Sequence, residues 1–216
     1  MQVEIYSDVV CPWCYIGERR FAQALGAFAG RDDVAVVFRP FQLDPNAPAT
    51  PAPLVESLRA KFGANARAMV ERVTAVGAGE GIEFRFDDAV AVNTITAHRL
   101  LRLAEQEYGA EVQRKLAERL FDAHFTRGQD VSDPGLLATL AAEAGMERAR
   151  VERYLASDEG LAETREAIDQ ARALGISAVP SFVFDGQYLV EGGQPAETFA
   201  AVLDEVASRA AAGQGA

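Results

Sequence analysis

Apolar positions along the chain change period twice. QVEIYSDVV (2–10) is apolar and β-branched at intervals, which predicts a short buried strand. After a turn at Cys11 the spacing lengthens, and Ile16, Phe21, Leu25 and Phe28 fall on one face of a helix through WCYIGERRFAQALGAFAG. DVAVVFRPF (33–41) reads as a second strand, so the opening is a βαβ unit, expected to be right-handed and parallel. The next stretch, DPNAPATPAP (44–53), carries Pro45, Pro48, Pro51 and Pro53; it cannot continue a regular element and predicts a domain boundary.

From Leu54 to about Leu174 the pattern is almost wholly helical. LVESLRAKF gives way at Gly63 to a second helix over ARAMVERVTAVG, while GIEFRF (81–86) is a short extended piece at most. Asn93 and Thr94 cap a helix across TAHRLLRLAEQEYG. EVQRKLAERLFDAHFTRG follows, with Leu116, Leu120 and Phe121 on one side. Asp133 with Pro134 opens a further helix that ends near Gly145, and a long helix covers about 158–174. The strand pattern then returns in SFVFDGQYLVEGG, two short runs around Asp185-Gly186 that predict a hairpin. ETFAAVLDEVASRAAAG is a final amphipathic helix, and the Ala/Gly-rich tail, 210–216, is expected to fray. The order β-α-β, helices, β-β-α makes an α/β fold with an all-helical insertion, split as residues 1–45 with 175–216 and residues 46–174.

A chain of 216 residues can bury a sizeable core. Its formal net charge of -11, from 32 acidic and 21 basic side chains, repels nucleic acid and anionic lipid, so neither is an expected partner. No stretch approaches the ~18 consecutive apolar residues of a membrane span. The N-terminus lacks the basic region and apolar run of a secretory signal, and with Met1 in place a cytoplasmic location is expected.

Against that background the only cysteines, Cys11 and Cys14, stand three residues apart. A structural disulfide is a poor reading in a cytoplasmic chain, and it would close too short a loop to restrict the unfolded state. A structural zinc site needs four ligands, and one CxxC pair with His98 and His124 far apart in helical sequence does not supply the spacing, so no metal is expected. The strand-turn-helix setting favours a redox couple. With Cys11 at the N-cap and Pro12 at N1, the amides of Trp13 and Cys14 point toward the Cys11 sulfur and favour its thiolate. Cys11 is therefore expected to ionise below the ~8.5 of a free thiol, and to be exposed. Cys14, on the same helical face, becomes the resolving partner. No cofactor beyond this dithiol/disulfide pair is implied.

CPWC at a helix start, a helical insertion and a late GISAVPSFVF segment resemble the DsbA-type branch of the thioredoxin superfamily. More narrowly, YSDVVCPWCYIG, RPFQLDPN, NTITAHRLLRLA, LFDAHFTRGQD and GISAVPSF resemble the FrnE-like oxidoreductases, relatives of 2-hydroxychromene-2-carboxylate isomerases and kappa-class glutathione transferases. The resemblance implies a thioredoxin fold and a cis Val179–Pro180 bond beside the cysteines, with Val179 offering its backbone N–H and C=O to an extended substrate. Read on its own, VPSFVF is simply a strand that begins with proline.

The chain departs from the wider superfamily at the buried first-strand acid, where it has Ile5. Glu4 points to the opposite face, so the proton acceptor for Cys14 is left among water, Asp8 or a group of the insertion. Trp13 is expected to be an exposed ring that contacts substrate, and His98 a satisfied helix histidine. Asn93 is either an N-cap or, by analogy with the isomerase-like relatives, part of a glutathione pocket. GGQP (192–195) is a turn before the last helix that could hold an anion. Three functions compete: a thiol-disulfide oxidoreductase acting on protein thiols and disulfides or on small thiols such as glutathione, a glutathione-dependent isomerase or transferase, and a peptide-binding chaperone. Only the first requires Cys14. Oligomeric state is open, a homodimer included.

Overall fold

The computed structural model describes residues 1–47 and 50–213. In chain order the elements are β1 (Gln2–Ser7), α1 (Pro12–Ala27), a 3-10 turn at Arg31–Asp33, β2 (Ala35–Pro40), β3 (Ala52–Pro53), α2 (Leu54–Phe62), α3 (Asn65–Gly79) and β4 (Val90–Ala91). They continue with α4 (Ile95–Tyr108), α5 (Ala110–Phe125), α6 (Pro134–Ala144), α7 (Arg148–Leu155), α8 (Leu161–Ala173), β5 (Ser181–Phe184), β6 (Tyr188–Glu191) and α9 (Ala196–Gly213).

Four strands form one sheet in the order β2-β1-β5-β6. β1 runs parallel to β2 and antiparallel to β5, with Val3 opposite Phe184 and Ile5 opposite Phe182. Strand alternation puts these four on one face. There Phe21 of α1 meets Phe182 at 5.5 Å and Phe199 of α9 at 5.6 Å between ring centroids, so α1 and α9 close that side. On the other face Glu4 binds Arg39 (2.7 Å), which also holds Glu105 of α4 (2.9 Å). The β2 edge does not stay open: Gln113 of α5 accepts from Phe38 N–H and donates to Phe38 C=O, both at 2.9 Å, as a neighbouring strand would. The hairpin follows the Asp-Gly signal, since Asp185 (φ 47) and Gly186 (φ 67) both adopt the positive φ of a tight primed turn.

The insertion shares a core with the sheet rather than standing apart from it. Tyr15 of α1 stacks on Phe121 of α5 (5.3 Å), and Phe84 and Phe86 join Phe125 around it. This explains GIEFRF: its alternate aromatics are buried, but the segment pairs with no strand. The Asp133 carboxylate caps α6 by accepting from Leu136 N–H, and Gly145 (φ 109) ends that helix.

Four expectations need correction. The proline-rich segment does contribute to a regular element, because Ala52–Pro53 pairs with Val90–Ala91 in a two-stranded ribbon; Pro48 and Ala49 lie outside the described residues. α7 escaped the sequence pattern because Arg148–Leu155 buries only Val151 and Tyr154. Tertiary bonds hold it: Arg150 pairs with Glu107 and Glu159 (2.6 Å each), and the Tyr154 hydroxyl donates to Arg99 C=O (3.1 Å). α8 starts at Leu161 rather than near 158, because Gly160 takes φ +73 and the Tyr154 hydroxyl occupies the space a Cβ would need. The tail is helical through Gly213, as an alanine run favours, with residues 214–216 outside the description.

Candidate active site

β1 ends at Ser7, and a turn closed by Cys11 N–H donating to Asp8 C=O (2.9 Å) delivers the chain to α1. Cys11 is the N-cap in extended conformation with Pro12 behind it. The capping chemistry differs from expectation. The amides of Cys14 (3.0 Å) and Tyr15 (3.3 Å) donate to the Cys11 carbonyl, and the sulfur makes no cap hydrogen bond. Instead the Cys11 thiol donates to Val179 C=O at 3.7 Å, across 168 residues of sequence.

Both cysteines are free thiols and both are buried, Cys11 to 4% exposure and Cys14 to 2%, against the expected exposure of the first. Burial pushes the Cys14 thiol well above its ordinary value, and its hydrogen bond with Cys11 adds to the rise. Cys14 is therefore protonated at neutral pH. The Ser7 hydroxyl lies beside it and opposes the rise, without the alignment of a full hydrogen bond.

The loop that meets Cys11 is held from several sides. The Val179–Pro180 bond is cis, Ser181 donates to Ala178 C=O (2.8 Å), and Gly192 N–H donates to Pro180 C=O (2.8 Å). A Cβ on Gly17 would lie 3.0 Å from the Pro180 ring and 3.2 Å from Gly193, so two facing glycines let this loop close on α1. That gives Gly193 a packing role against α1.

Cys11 opens into a groove of about 810 Å³ between the turn and α2–α3, lined by Trp13, Val179, Leu58, Phe62, Met69 and others. Trp13 is half-buried rather than exposed, with the Arg72 guanidinium 5.9 Å from its ring centroid. Asn93 does not line the groove. Its side chain accepts from Gln42 and from Ile95 N–H (3.0 Å each) and donates to Pro45 C=O (3.2 Å), tying the 42–47 loop to the start of α4, whose N-cap is Thr94.

Near the cysteines a cluster forms that joins Asp8, already a candidate proton acceptor, to His98. Asp8 (1% exposed) meets His98 Nε2 at 3.1 Å and accepts from Leu43 N–H at 2.9 Å. His124 of α5 is fully buried, and among the described residues neither ring nitrogen finds a hydrogen-bond partner. Burial lowers the His124 pKa to about 4, with Asp8 and Asp130 pulling weakly the other way. No pattern in one sequence links a turn residue to helices 90 and more positions away; only the packing of α4 and α5 does so.

His124 carries a stability consequence. Its folded pKa lies below the unfolded 6.5, so the unfolded state takes up the proton first as pH falls. Stability is lost from about pH 6.5 down to about pH 4 and no further on this account. Between pH 6.5 and 5 the loss is about 2 kcal/mol. Urea midpoints at pH 7 and pH 5 should show that part of the acid dependence disappearing in His124→Leu; an unchanged dependence would contradict it.

A DSBA-like thioredoxin domain model matches residues 2–204. The chain is 37% identical to a probable DsbA oxidoreductase from Streptomyces coelicolor, whose crystal structure superposes with a TM-score of 0.85 over 95% of this chain and 89% of that one. It is 27% identical over 216 residues to the uncharacterized protein YwbO of Bacillus subtilis, covering 95% of this chain and 97% of that one. A 2-hydroxychromene-2-carboxylate isomerase shares the fold at 15% identity, with a TM-score of 0.67 and 98% of each chain covered. Among the described residues no helix is long and apolar enough to cross a membrane. Matched over nearly its whole length, the chain belongs to the DSBA-like thioredoxin domain family.

Proposed function

We propose that the protein is a thiol-disulfide oxidoreductase whose working couple is Cys11–Cys14. One observation carries this reading: two free thiols at the start of α1, one opening into the groove beside the Val179 carbonyl and the other buried and protonated behind it. Cys11 exchanges with a substrate sulfur, a mixed disulfide forms, and Cys14 resolves it. The groove receives the apolar flank of a cysteine-bearing peptide or small disulfide, since Leu58, Phe62 and Met69 face it. An isomerase that activates glutathione at one position has no use for Cys14. The acidic surface makes cationic stretches better partners than anionic ones, and the proposed site of action is the cytoplasm.

The test is dithiol-driven reduction of insulin, followed by titration of the couple in glutathione buffers. Turnover well above the protein-free rate, with a two-electron transition that consumes both thiols, is expected. An inert protein, or a transition that leaves either cysteine unmodified, would overturn the reading.

A further inference from the structure

Resolution of the mixed disulfide requires Cys14 to give up its proton, and Cys14 is 2% exposed. At the first-strand position where the wider superfamily carries a buried acid, this chain has Ile5. The Ser7 hydroxyl stands beside the Cys14 sulfur. Ser7 also borders, together with His98, a cavity of about 10 Å³, the size of a single water site. On its far side His98 is fixed by Asp8 (3.1 Å), which Leu43 N–H anchors in turn. With Nε2–H donated to the Asp8 carboxylate, the neutral ring keeps its lone pair on Nδ1.

We propose that His98, oriented by Asp8 and reached through Ser7, accepts the proton that Cys14 releases as it attacks the Cys11–substrate disulfide. The proposal rests on the oxidoreductase reading. In the step, the Cys14 S–H bond breaks and its proton passes through the Ser7 hydroxyl and the cavity to the imidazole. The Cys14 sulfur bonds to the Cys11 sulfur, the Cys11–substrate bond breaks, and its electron pair leaves on the substrate thiolate. The protein dithiol loses two electrons and the substrate disulfide gains them. In the opposite direction His98 returns the proton to Cys14 as it departs.

The other ionisable groups facing this cluster come from every element around it. They are Cys11 on α1, Arg39 on β2 (engaged by Glu4 and Glu105), Arg102 on α4, His124 on α5, and Asp130 beyond α5. Arg39 is already paired, and His124 is too weak a base to hold a proton at neutral pH. This leaves the Asp8–His98 pair as the acceptor.

Dipyridyl disulfide separates the two half-reactions, because Cys11 attack and Cys14 resolution each release one coloured pyridinethione. In His98→Gln the second phase should slow about 100-fold at pH 7 and become proportional to hydroxide, and in Ser7→Ala it should slow about tenfold. The first phase should keep the parent rate in both. An unchanged second phase, or equal slowing of both phases as a purely structural role would give, overturns the relay. Should His98→Gln fail to fold, Ser7→Ala decides alone. A parent protein with no first phase refutes the oxidoreductase reading itself, a failure distinct from that of the relay.

Discussion

Cys11→Ser should reduce insulin no faster than protein-free buffer. A serine hydroxyl cannot form the S–S bond on which every later step depends, so the loss is total rather than graded. Cys14→Ser should behave differently. Cys11 still attacks, but nothing resolves the product, and mixed disulfides accumulate that migrate as reducible adducts on non-reducing gels. Incubated with cell extract, this variant would also capture the physiological substrates. Residual activity in Cys11→Ser would remove the dithiol mechanism, and an absence of adducts in Cys14→Ser would turn attention from protein substrates to small disulfides such as oxidised glutathione.

The second large effect is on stability and arises on the same helix. Glu18 of α1 is buried, and its pKa is raised to about 8, first by burial and then by the charge and hydrogen bond of Glu118. The nearby Arg19 and Arg114 offset this only in part. The folded state therefore keeps a proton that the unfolded chain gives up above about pH 4.5. This group's favourable contribution is full below pH 4.5 and is lost as pH rises toward 8. At pH 7 the cost is roughly 2–3 kcal/mol. Glu18→Gln keeps the shape and a donor for Glu118 while removing the titration. It should raise the thermal midpoint at pH 7 by about 5–10 °C and make little difference at pH 4.5. Equal midpoints at pH 7 would mean that the carboxyl is ionised in the folded protein.

Much of the fold was legible because local rules and tertiary packing agree. The Asp185-Gly186 turn, the Asp133 cap and the change of period around Cys11 each state their structure locally. α7 was not legible, since two buried residues in eight leave no amphipathic stripe and its position depends on Arg99 and Arg150. The cysteine pair could be read from spacing and helix position, but the direction of the Cys11 thiol could not. It turns to a carbonyl 168 residues away, and no local pattern encodes that. The same is true of Asp8 and His98, each unremarkable in its own segment and joined only where α4 meets the turn that follows β1.

The sheet order has a bearing on how the protein is made. β1 is in the first seven residues, yet one of its two neighbours, β5, begins at Ser181. At synthesis rates of about 5–20 residues per second, β1 and the CPWC turn wait on the order of 10–30 s for that neighbour. For that interval Ile5 has no Phe182 beside it, and Cys11 has no Val179 carbonyl to meet. The helices from α2 to α8 emerge first and can bury their own apolar faces meanwhile. A chain that terminates between the end of α1 and Val179 carries the whole CPWC motif and lacks the loop that turns it into a site.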